Sequence, residues 1–374
     1  MISFFSFPTR VVFGAGARAS LGAEAAALGM GRPLVVTDAG VRAAVLADAL
    51  GAVGASWPVF DGVSANPVGA EVHAGAAAYR ASGCDGVLAV GGGAPMDVGK
   101  LVRLALGHAR PLHEFDDAID GGRHVKGPLV PMIAMPTTAG TGSEVGRSGV
   151  VTLPETGRKT VIFAPPLIPS VALCDPELTF GLPPRPTAAT GMDALTHGIE
   201  AYLAKGYHPM ADAIALEAVR LVARSLRRAV ADGQDLAART DMMMAAAMGA
   251  VAFQKGLGVC HAMAHPLSNL AGLHHGLANA LMLPAALRHN APVVPDRLAD
   301  VAQALGEERE AARAPDAVAL LRDDVGLPDR LSACGVSPGM LDALADGAAR
   351  DSCLLGNPRS TTTGELRAMY EASL

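Results

Sequence analysis

Apolar positions along the chain fall into two regimes. In the first half, short continuous apolar runs alternate with Ala-rich stretches of helical period. Residues 33–37 (PLVVT), 86–90 (GVLAV), 131–135 (PMIAM) and 171–174 (VALC) each read as a buried strand. Residues 41–50 and 68–81 read as helices between them. Strands that are apolar throughout and alternate with helices predict a parallel sheet covered on both faces.

The pattern changes at Leu182-Pro-Pro-Arg-Pro186, where three prolines in four residues predict a break. Thr187 then reads as a helix N-cap. From there the periodicity is helical to the end, over about 187–204, 209–231, 235–254, 258–270, 276–289, 296–305, 314–325, 338–349 and 363–373. The expected organisation is an α/β domain over 1–182 and an all-helical domain over 183–374. No internal repeat is evident.

Length and composition agree with two folded domains. The chain has 374 residues, half of them hydrophobic and only 18% charged, which excludes disorder and supports a large core. A net charge of −6 and an aromatic content of 4% give no footprint for nucleic acid. The N-terminal MISFFSFPTR lacks the pattern of a signal peptide, and no long uncharged apolar run predicts a membrane span. Five scattered cysteines form neither a disulfide framework nor a CxxC pair, so a cytoplasmic location is expected.

Two glycine-rich segments compete for a dinucleotide. Gly14-Ala-Gly16-Ala-Arg-Ala19 fits G-x-G-x-x-A, with Asp38 24 residues beyond Gly14. In a chain with 43 glycines this spelling reads rather as a tight turn. Gly91-Gly92-Gly93-Ala94-Pro95-Met96-Asp97 is the stronger candidate. It follows a predicted strand and opens a helix, where glycines admit a pyrophosphate to unpaired N–H groups. Thr137-Thr138-Ala-Gly-Thr141-Gly-Ser143-Glu144 follows another strand, and its hydroxyls suit a ribose, phosphate or amide.

Histidines cluster in the helical half. Asp193 and His197 stand four apart on a predicted helix, as do His261 and His265, with His274 and His275 close behind. One histidine on an apolar helix is usually a satisfied core residue. Two helical pairs and a doublet in one segment point instead to a divalent metal.

Together these segments resemble the iron-dependent (group III) alcohol dehydrogenase family over essentially the whole chain. The resemblance is carried by GGGxPxD at 91–97, PTTAGTGSE at 136–144 and GMDALTH at 191–197, with HAMAHPL at 261–267, HGLANA at 275–280 and NPR at 357–359. It implies a Rossmann-like N-terminal domain followed by an all-helical one, the dehydroquinate synthase-like architecture. Metal ligands map onto Asp193, His197, His261 and His275, the last because it directly precedes Gly276. His265 maps onto a catalytic histidine near the metal. Cofactor contacts map onto Asp38, Asn66, Gly92, Gly93, Ala94, Asp97, Thr137, Thr138, Thr141, Ser143 and Lys159, with Leu178 near the adenine. Asp38 would accept from the ribose 2′-OH and repel a 2′-phosphate, favouring NAD over NADP. The resemblance makes 91–94 the phosphate loop and leaves Gly14-Ala-Gly16 a structural turn. Ala94 replaces the family's usual Ser.

The implied reaction is hydride transfer between NAD(H) and a small primary alcohol or aldehyde, assisted by a Lewis-acidic metal, Fe²⁺ first and Zn²⁺ next. His265 would relay the proton. The chemistry is expected between the two domains. Features at 157–159, 174–179 and 253–258 look most like the 4-hydroxybutyrate dehydrogenase branch. Arg147 and Lys255 are candidate receptors for a substrate carboxylate, as in 4-hydroxybutyrate and succinic semialdehyde. An aldehyde carrying phosphonate or sulfonate would suit the same cations. The expected partner is that small molecule, with a homodimer or higher homo-oligomer implied by the family. A maleylacetate reductase-like enzyme, typically without metal, and a non-enzymatic metal-binding protein are the alternatives.

Overall fold

A computed structural model describes residues 5–51, 53 and 56–374; Met1–Phe4, part of the stretch read for a signal peptide, lie outside them. The chain forms two compact units. One holds Phe7–Thr138 and Ser143–Gly181; the other holds Leu182–Leu374, Ala139–Gly142, Phe5 and Ser6.

The first unit is built on a six-stranded parallel sheet. Its strands are β1 (Arg10–Phe13), β2 (Leu34–Val36), β3 (Val59–Phe60), β4 (Val87–Gly91) and β5 (Met132–Pro136). A separate two-stranded antiparallel hairpin is formed by β6 (Ser148–Leu153) and β7 (Arg158–Phe163). Strand β8 (Val171–Cys174) returns to the main sheet, whose order is β1-β8-β5-β4-β2-β3. Register runs Leu34↔Val87↔Met132 across β2, β4 and β5. The pleat splits these strands between two cores. Leu34, Val36, Val87 and Ala89 face one apolar cluster, and Val35, Leu88, Val90, Ile133 and Met135 face the other. That double burial is why the central strands are apolar at every position.

The four apolar runs are strands as expected, and the sheet is parallel. The edge strands β1 and β3 and the hairpin were not expected. Strand β1 is short and half exposed, so it carries no buried run. In β6 buried and half-buried positions alternate, and a turn through Gly157 (φ 63°) joins it to β7. Residues 41–50 form two short helices, Ala39–Ala44 and Leu46–Leu50, rather than one. The turn after β1 is structural. Gly16 is left-handed (φ 75°), and its N–H and that of Arg18 both donate to the buried Asp175 carboxylate at 3.1 Å.

The second unit is helical. Its first helix is Pro184–Leu203, buried at every residue from Thr187 to Leu203. Thr187 is therefore not an N-cap. Prolines 184 and 186 lie in the first turn, where backbone N–H groups have no helical partner, so they begin the helix instead of blocking it. Helices Pro209–Ala231, Leu236–Ala252 and His275–Asn290 pack around it. Glycines permit the closest approach: a Cβ on Gly276 would lie 2.1 Å from the Ala189 carbonyl oxygen. Residues 236–255 have the length and mean hydropathy (1.2) of a membrane-crossing helix. More than half of that stretch is buried inside the bundle, as a core helix is.

Candidate active site

Three helices bring the histidines together. Pro184–Leu203 carries Asp193 and His197, Val259–Leu270 carries His261 and His265, and His275–Asn290 begins at His275. Asp193 Oδ1 lies 3.5 Å from His275 Nε2 and 3.9 Å from His261 Nε2. The His197 ring stacks on His261 with centroids 4.8 Å apart, beside that trio. The crossing at Gly276 and Ala189 places His275 there; a Cβ on Gly276 would also sit 3.3 Å from Asp193 Cβ.

The electrostatics suit a cation. Burial pushes the Asp193 carboxyl up, but His197, His275, His261 and the Asn279 amide outweigh it and bring it down to about 2. Burial lowers His197 to about 4 and takes His275 well below the usual histidine range. At neutral pH the site thus holds an ionised carboxylate and two neutral imidazoles, the states that metal coordination needs. His261 is shifted the other way: burial lowers it, but Glu200 and Asp193 outweigh burial and hold it above the ordinary histidine value. The Asn279 amide nitrogen sits amid the acceptors, 2.7 Å from Asp193 Oδ1, 3.2 Å from His275 Nε2 and 3.3 Å from His261 Nε2. His197 Nδ1 is buried with no hydrogen-bond partner among the described residues. One carboxylate and three imidazoles fit a borderline divalent ion such as Fe²⁺ or Zn²⁺.

His265 stands next to this group, its ring stacked on His275 at 5.4 Å. Its Nδ1 is 2.7 Å from Asp351 Oδ2, and its side chain is 28% exposed. A half-buried Cys353 thiol completes a second convergent cluster with these two residues. Glu200, Asn279 and Asp351 were not anticipated from the sequence. Glu200 falls one turn beyond His197 on the same helix, and Asn279 four residues after His275, so a helical-face search would have found both. Asp351 is 86 residues from His265 and carries no local signal.

In the sheet unit, the glycine loop ends β4. Gly91 has φ 150°, and Gly92 N-caps the helix Gly93–Gly107. Ala94 lies in the first turn of that helix, and a Cβ on Gly92 would meet Thr138 Oγ1 at 3.2 Å. Thr137 N–H donates to the Gly91 carbonyl at 2.9 Å. Asp38 follows β2 and caps Ala39–Ala44 through Val41 N–H. Asn66 is exposed. Asp97 accepts from Ser143 Oγ (2.7 Å) and Val150 N–H (3.1 Å), and Ser143 Oγ accepts from the fully buried Lys100 (2.7 Å). Burial lowers the pKa of Lys159. Thr141 belongs to the stretch 139–142 that packs with the helical unit.

Leu178 is 2% exposed and packs in the apolar core with Val35, Leu88 and Ile133. One expected contact is corrected. Lys255, with 1% of its side chain exposed, is taken up by Asp212 and the Tyr202 carbonyl. Asp212 also holds Arg297 at 3.0 Å, closing a network in which the Lys255 charge is already paired. Arg147 lies over the Phe163 ring, 6.0 Å from its centroid.

A covered parallel sheet with a glycine loop at a strand's carboxyl end, and a helical unit with a buried carboxylate–imidazole cluster, define a metal-dependent nicotinamide dehydrogenase. The model of iron-containing alcohol dehydrogenases matches residues 8–176, and that of the family's C-terminal domain matches 187–374. The chain belongs to the iron-containing alcohol dehydrogenase family, whose cofactors are NAD(H) and iron, and is an oxidoreductase. It is 41% identical to a 4-hydroxybutyrate dehydrogenase of Cupriavidus necator, covering 100% of both chains. It is 39% identical to a 1,3-propanediol dehydrogenase of Klebsiella pneumoniae, covering 96% of this chain and 95% of that one. The crystal structure of a 1,3-propanediol oxidoreductase matches it with a TM-score of 0.95 at 38% identity, over 100% of both chains. A sulfoacetaldehyde reductase from Bifidobacterium kashiwanohense, solved with NAD⁺, matches with a TM-score of 0.89 at 33% identity, over 100% of this chain and 99% of that one.

Proposed function

We propose that this enzyme interconverts an ω-hydroxy acid and its aldehyde, with 4-hydroxybutyrate and succinic semialdehyde as the pair. The observation that carries the chemistry is the convergence of Asp193, His261 and His275, with His197 alongside, next to the His265–Asp351 pair. When bound, a divalent metal supplies Lewis-acid polarisation of the substrate oxygen, and NAD(H) carries the hydride. Asp193, His197, His261 and His275 would hold that metal. His265, partly exposed, passes the hydroxyl proton to solvent, and Asp351 holds its Nδ1–H so that Nε2 is free to accept. Residues 92–94, Thr137, Thr138, Thr141 and Asp38 would bind the dinucleotide, and Asp38 favours NAD. Residues 1–182 would form the cofactor domain and 183–374 the metal domain.

The acidic substrate rests on the 41% identity to a 4-hydroxybutyrate dehydrogenase. Arg147 is the cation proposed to receive the carboxylate. Arg147→Ala should raise KM for succinic semialdehyde at least tenfold and leave KM for butanal within twofold; equal effects on both would sink that role. The broader test is an NADH-oxidation screen, after iron or zinc reconstitution, over aldehydes with and without a terminal carboxylate. A preference for 3-hydroxypropanal, the aldehyde of 1,3-propanediol, would overturn the acidic substrate in favour of the diol. Full activity in protein proven free of metal would favour a maleylacetate reductase-like enzyme.

A further inference from the structure

We infer that Glu200 sets the tautomer of His261 and thereby its strength as a metal ligand. The inference rests on the reading that Asp193, His197, His261 and His275 hold a divalent cation. Glu200 is 4% exposed and lies on the helix that carries Asp193 and His197. Three donors converge on its carboxylate. Cys260 N–H reaches Oε1 at 2.7 Å, His261 N–H reaches Oε2 at 3.2 Å, and the His261 ring Nδ1 lies 2.7 Å from Oε2.

The arrangement has two parts. Helix Val259–Leu270 starts at Gly258, which offers no side-chain cap of its own. Glu200 supplies the missing acceptor from another helix, with Asn357 Oδ1 taking Val259 N–H at 3.1 Å. Gly258 makes room for both, since a Cβ there would lie 2.8 Å from Glu200 Oε1 and from Asn357 Oδ1. The same carboxylate then meets the imidazole. Because Glu200 is already an acceptor, the ring contact needs a hydrogen on His261 Nδ1. In the neutral ring this leaves the lone pair on Nε2, the atom that faces Asp193 and His275. A carboxylate behind a ligating imidazole also makes it a stronger donor. Glu200 touches neither metal nor substrate; it is a positioning residue that acts through His261.

Glu200→Gln tests this with little change of shape. The amide keeps an acceptor for Cys260 N–H but turns an N–H toward His261 Nδ1, and the ring proton moves to Nε2. Chelator competition should then show affinity for Zn²⁺ or Fe²⁺ weakened about 10–100-fold. NADH binding, followed by fluorescence, should match wild type, while the melting temperature of the metal-free protein should fall because the amide no longer accepts from His261 N–H. Metal affinity within twofold of wild type in E200Q overturns the inference. Should E200Q fail to fold, E200D retains a carboxylate withdrawn by one methylene, and unchanged affinity there overturns it as well. A wild-type protein that binds neither metal would instead sink the parent reading.

Discussion

Glu144 shows how much one buried side chain in the sheet unit can do. It is 3% exposed, and burial pushes its carboxyl up to about 7, partly opposed by the charge of Lys100. Lys100, fully buried, is in turn lowered to about 8 by burial. A carboxyl whose folded pKa lies above its unfolded one binds more protons when folded. Its stabilising contribution is present below about 4.5 and is lost as pH rises through about 7. The buried neutral imidazoles of His197 and His275 act in the opposite direction over the same interval, so Glu144 is read from a difference: between pH 5 and pH 8 the urea midpoint of Glu144→Gln should gain on that of wild type. An identical change in both would mean that Glu144 does not set this dependence. The candidate site residues were legible where partners lie on one helix, as the proposed ligands Asp193 and His197 do. Lys255 was misread because its partner Asp212, 43 residues away, is invisible to local spacing.

At the scale of elements, the helix His275–Asn290 depends on a residue without a side chain. A Cβ at Gly276 would approach the Ala189 carbonyl oxygen to 2.1 Å, and neither backbone has a flexible end to yield. Gly276→Ala should force the two helices apart at the very turn that presents His275 to Asp193. We expect a loss of about 1–3 kcal/mol in urea unfolding together with substoichiometric metal after reconstitution. Unchanged metal content would show that the crossing does not position His275. The helices of the helical unit were legible: the expected spans differ from the observed ones by at most a few residues, because a 3.6-residue apolar stripe is a local property. Strands β1, β3 and the β6–β7 hairpin were not. They are short or half exposed, and their pairing is a long-range fact that no single segment carries.

For the whole molecule, the proposed ligand set lies entirely in the helical unit, whereas the glycine loop lies in the sheet unit. Metal removal should therefore separate two functions that turnover joins. Dialysis against a chelator should abolish turnover and lower the melting temperature. Wild type at a metal concentration 100 times its Kd should regain about 2.7 kcal/mol. NADH binding by fluorescence should survive chelation, and loss of both together would mean that the cofactor site is not independent of the metal. The tip of the hydroxyl-rich loop adds a consequence for how the gene can be divided. Residues 139–142 leave the sheet unit to join the helical one, where a Cβ on Gly140 would meet Thr190 and one on Gly142 would meet Ala246 and Ala250. A chimera joined at residue 182 would inherit the helices of one parent and this plug from the other. Recombination between relatives is then expected to succeed only when the four-residue plug travels with the bundle that receives it.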